Sequence, residues 1–177
     1  MPYQAAIQGW HDFYLVSGGA SATLVGLLFV GLSLHLRAVI SRPEVRSLAR
    51  VTLTNFGLVL LVALFILIPQ DRTGFGSDLI ISGIVSGGIV TPSLVGAARS
   101  RTRTLRVPQL VTRFGLSALG YAGMVVAGAL INGGSLTAGL VWSCGVSIAL
   151  LVISLRNSWD LLVTVGEATM QEKQAGR

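Results

Sequence analysis

Few residues in this sequence are equipped for chemistry, and their spacing says more than their number. Ser82, Ser86 and Ser93 recur at i, i+4 and i+11, one stripe on a helix, and Ser17 with Ser21 makes a shorter stripe. Hydroxyls in apolar sequence can line a polar path or bond back to carbonyls of their own helix. Gly87-Gly88 and Thr91-Pro92 imply a broken helix, because proline lacks an N–H and its ring meets the carbonyl four residues back. A break of that kind lines a cavity or packs as a simple kink. Ser17, Ser21, Ser82, Ser86, Thr91, Pro92 and Ser93 are therefore the candidate lining of a pore or ligand path.

The arginines form a second constellation. Arg42, Arg46 and Arg50 recur every four residues, and Arg99, Arg101, Arg103 and Arg106 crowd another short segment. Such clusters orient a membrane protein and hold anionic headgroups, at about 1 kcal/mol per residue near the surface. As a ring in an oligomer they would instead favour anions at a cytoplasmic mouth. His11-Asp12 reads as a pH-sensitive pair or as a helix start, and His35 as a sensor or a polar residue at a helix end. Trp159, Leu162, Val163 and Met170 share one face of an amphipathic segment, a candidate partner helix.

Other chemistry is missing from the sequence. No Asp, Glu, Lys or Arg lies inside an apolar run, where coupled carriers place their ionisable groups. There is no GxxxxGK[ST], HExxH or GxSxG, and the single cysteine, Cys144, forms no CxxC. The expectation is a protein that is not an enzyme and holds no metal or cofactor.

The elements that must position these residues follow from composition. Of 177 residues 52% are hydrophobic and 11% charged, against roughly 25% charged in a soluble domain, and the mean hydropathy is +0.74. Much of the surface must face lipid. Five apolar runs, at about 14–36, 51–69, 79–98, 114–132 and 136–156, approach or reach the ~20 residues that cross a bilayer as helix. Their continuity excludes a barrel. The fold class is all-α: a polytopic transmembrane bundle of five spans in residues 1–156, then a cytoplasmic amphipathic helix and tail at 157–177.

Of the 13 Lys and Arg, all but Arg72 fall between spans one and two, between three and four, or after five. The positive-inside rule then places the amino terminus outside and the carboxyl terminus in the cytosol. The pI of about 10.7 is spent at the membrane edge rather than on nucleic acid. Ser41-Arg42-Pro43-Glu44 has capping-box spacing and starts the second helix near Arg42. Small residues four apart make seams for close packing: Gly18, Ala22 and Gly26; Gly83 and Gly87; Ala118 and Ala122; Gly139, Ser143 and Ser147.

Trp10-His11-Asp12-Phe13, the run from Ala20 to Leu34, and Asn157-Ser158-Trp159-Asp160-Leu161-Leu162-Val163 resemble a family of small actinobacterial integral membrane proteins. Some of that family carry the label modulator of the FtsH membrane protease. The resemblance implies a multi-pass protein of the bacterial inner membrane, and no site residue is carried over from it. Two functions are expected from the sequence. One is a small homo-oligomeric channel or pore for ion transport, anion-favouring where the arginines ring its mouth. The other is a non-catalytic interaction protein that docks a membrane partner such as a protease.

Overall fold

The computed structural model describes residues 7–41, 43–99 and 114–175, and its described elements are all helices. They are α1 (His11–Leu34), α2 (Leu36–Ser41), α3 (Pro43–Leu67), α4 (Arg72–Arg99), α5 (Leu116–Asn132) and α6 (Leu136–Ala175). Four contain stretches long and apolar enough to cross a membrane: His11–Leu34, Val45–Leu67, Arg72–Ser93 and Leu136–Gly166. Leu116–Asn132 is a shorter apolar helix, preceded by a π-type turn at Phe114 and Gly115.

Local chemistry sets the helix ends. The Asp71 carboxylate accepts a hydrogen bond from the Gly74 N–H at 3.0 Å, which caps the start of α4 seven residues before the apolar run begins. Between α5 and α6 the Ser135 N–H bonds Leu130 O and the Gly134 N–H bonds Ile131 O, with Gly134 at φ +99°. That is a Schellman closure, and it needs the left-handed backbone glycine supplies. At the other end of α1 the chain breaks at His35, whose Nδ1–H donates to Gly31 O at 3.2 Å. The capping box around Arg42 lies outside the described side chains.

Close contacts fix the helix directions. Gly18 faces Ala63, where an added Cβ would lie 2.6 Å from the alanine Cβ, and Ser21 bonds Phe56 O, so α1 and α3 are antiparallel. Gly76 meets Gly128 and Asn132 while Gly83 meets Tyr121 and Val125, so α4 and α5 are antiparallel. Gly120 against Leu150 and Gly139 against Ile131 make α5 and α6 antiparallel. Tyr14 with Ser143 and Gly31 with Leu162 make α1 and α6 parallel. The five long helices thus alternate in direction, and α3 packs on α1, α4 and α6.

One expectation changes. The proline does not break the third span: α4 is continuous, with Pro92 inside it. Pro92 removes one backbone donor from the helix, and the neighbouring Thr91 hydroxyl donates to Gly87 O at 2.7 Å. The fifth span and the extension after residue 156 are one unbroken helix of 40 residues, about 60 Å long. The seams are also redistributed. Gly18 packs inward, whereas Ala22, Gly26, Ala118 and Ala122 face outward, and the close approaches on α5 are made by Gly120, Gly123 and Gly128.

Candidate functional site

The interior is tied by polar pairs. The Tyr121 hydroxyl donates to Asn55 Oδ1 at 2.7 Å, and Asn55 Nδ2 donates to the Ser117 hydroxyl at 2.9 Å. All three residues are buried. This joins α3 to α5 through three side chains that no composition rule singled out. Between α1 and α6 the Tyr14 hydroxyl donates to the Ser143 hydroxyl, which donates to Leu140 O at 3.0 Å. In hydrocarbon an unpaired amide or hydroxyl is costly, so these bonds fix which helix faces meet.

The candidate lining residues are divided among separate contacts. Ser17 donates to Tyr14 O and Ser82 to Leu79 O, each within its own helix, whereas Ser21 reaches across to Phe56 O. Ser86 and Ser93 are buried, and Thr91 and Pro92 are exposed. Helices α1 and α4 both pack on α3 and only marginally on each other, so one copy does not bring the two serine stripes together. Beside Thr91 an open groove of about 260 Å³ runs between α4 and α5, floored by Gly83, Gly87 and Tyr121 and walled by Ala118 and Ala122.

Of the arginines, Arg46, Arg50 and Arg156 project outward. The side chain of Arg99 is outside the described set, as are Arg42, Arg101, Arg103 and Arg106. The pairings above put Arg156 level with the turn around Gly26 of α1 and with Leu53 of α3, close to Arg50. From Leu136 to Arg156 α6 covers about 30 Å, the thickness of a hydrocarbon core. Among the described residues no group of three His, Cys, Asp or Glu stands close enough to hold a metal. His11 lies 3.4 Å from its neighbour Asp12 on the exposed rim.

Past the arginine level the bundle continues as three helices with their own core. Leu28 and Phe56 begin it, and Val45, Leu48 and Ala49 of α3 share it with Leu161 and Val165 of α6. Around that core Leu34, Leu36 and Ile40 at the α1–α2 corner, and Trp159, Leu162 and Val163 on α6, are exposed; Leu34 stands 75% exposed and Trp159 70%. The sequence named Trp159, Leu162 and Val163 from their spacing; the Met170 side chain lies outside the described set. The apolar corner at Leu34, Leu36 and Ile40 carries no signal in the sequence, because Leu34 and Leu36 end a span and Ile40 stands alone beyond Arg37. A comparison with protein-family models, curated proteins and solved structures returned no match.

Proposed function

We propose that this chain is a multi-pass protein of a bacterial inner membrane that crosses five times, amino terminus outside and arginine-rich side in the cytosol, and works without catalysis by docking a polypeptide partner. The observation that carries this reading is the second core. Three helices project past the level of Arg50 and Arg156 with packed apolar residues between them and bare apolar residues around them, with the exposed Arg46 standing among these. An exposed apolar patch costs about 25 cal/mol per Å² in water, and such patches on natural proteins mark surfaces that something covers. The alternating helix directions and the shared level of Arg50 and Arg156 support the five-span, odd-numbered topology. For the short span, Phe114 and Gly115 extend α5 to nearly 30 Å. The family resemblance implies a membrane protease as one partner of the right kind.

A conducting homo-oligomer is the second reading, favoured by the exposed Thr91 hydroxyl beside the α4–α5 groove. Because α3 stands between the two serine-bearing helices, its path would run between copies.

One pair of measurements separates the readings. A photoreactive residue at Leu34 or Ile40 should give a discrete protein adduct in native membranes, severalfold above the same probe at Val16 on the outer half. Adducts with lipid alone would contradict docking. The purified chain in vesicles should show no ion flux above protein-free vesicles; flux that scales with protein would support conduction instead.

A further inference from the structure

The outward face of α6 carries a pattern that lipid does not explain. Val141, Ile148, Leu155 and Leu162 recur every seven residues, and Gly145, Val152 and Trp159 fall between them, giving alternating steps of four and three. All seven are exposed. In hydrocarbon an apolar outer face is ordinary. Here it continues beyond Arg156, where exposed guanidinium marks the water boundary, through Trp159 to Leu162 about 9 Å further on. Gly145 and Gly166 have open space where a Cβ would stand, so another backbone can come close at both.

We infer that α6 pairs with α6 of a second copy, in parallel, along this stripe from Val141 to Gly166, through the inner half of the bilayer and out into the cytosol. An apolar seven-residue repeat held over three turns of the pattern is what a two-helix seam requires, and it imposes a left-handed supercoil on the pair. Every copy in one membrane carries the same stripe at the same depth and in the same direction, so two copies meet it in register. The six apolar side chains, with about half or more of each exposed, would bury on the order of 1,200 Å² over two copies, the lower end of what stable interfaces use. The seam leaves the Leu34–Ile40 corner free, so it extends the docking reading to a second, self-recognising surface and rests on that reading for its depth.

The test is a cysteine scan from Val152 to Leu162 in the full chain with Cys144→Ser, oxidised in native membranes. Disulfide-linked dimer should peak at Val152, Leu155, Trp159 and Leu162 and fall about tenfold at Ile153, Ser158 and Leu161. Leu162→Glu, which places its charge outside the hydrocarbon and so spares insertion, should lower dimer in detergent by about tenfold or more. Dimer without that periodicity, or a monomer at every position, overturns the pairing. Adducts at Leu34 and Ile40 that persist in that case leave the docking reading standing; their loss with the dimer intact removes that reading alone.

Discussion

Removing the Tyr121 hydroxyl by Tyr121→Phe strips Asn55 Oδ1 of its donor while leaving the ring in place. The amide is fully buried and its other end is held by Ser117 at 2.9 Å, so it has no water to turn to. The lost bond contributes about 1 kcal/mol, and an acceptor orphaned in a low-dielectric interior adds about 1–3 kcal/mol. Tyr121→Phe should therefore destabilise the bundle by about 2–4 kcal/mol. Asn55→Leu, nearly the same volume, orphans the hydroxyls of Tyr121 and Ser117 and should cost about as much. The double variant replaces the Asn55–Tyr121 bond with apolar contact and should cost about 1–2 kcal/mol less than the two singles summed. Reversible unfolding in mixed micelles, followed by tyrosine and tryptophan fluorescence, measures all three. Single costs that add to within ~0.3 kcal/mol would show that the two side chains do not interact, and the central bond would be refuted.

The remaining predictions concern packing. Gly83→Val should destabilise by about 2 kcal/mol or more, because a Cβ there would meet Tyr121 O at 2.8 Å and Val125 at 2.9 Å; Gly145→Ala, with open space, should leave the midpoint of unfolding within ~0.5 kcal/mol. Leu161→Ala should cost about 2–4 kcal/mol in the core beyond the arginines, and hydrogen exchange should rise in α6 past Arg156 before it rises in the span. Asp71→Ala should cost about 1 kcal/mol through the lost cap and fray α4 at its first turn, visible as faster exchange at Gly74.

The apolar runs were legible because crossing a bilayer imposes length on each run separately, and each helix was found near its run. What a single run cannot show is which of its faces meets a neighbour. Gly18 and Gly26 look alike in sequence, yet one touches Ala63 and the other faces outward. Pro92 looked disruptive because proline removes a bond, yet α4 runs through it with that one donor lost. The serine stripes were visible as stripes, but their separation by α3 depends on helix order around the bundle, which spacing does not encode. Asn55 carries no formal charge to mark it in the sequence, yet a buried amide makes the same demand for a partner. The helical spacing that the sequence carries past Arg156 continues the fifth span without a break, since no proline interrupts it.

The proposed odd number of crossings underlies every assignment of depth and side. Single cysteines at Asp12, Ser135, Arg46 and Val163, in Cys144→Ser chains and intact cells, can be labelled with a membrane-impermeant maleimide. Asp12→Cys and Ser135→Cys should react at once, and Arg46→Cys and Val163→Cys only after permeabilisation. Equal reaction of Asp12→Cys and Val163→Cys in intact cells would put both ends on one side and contradict the threading.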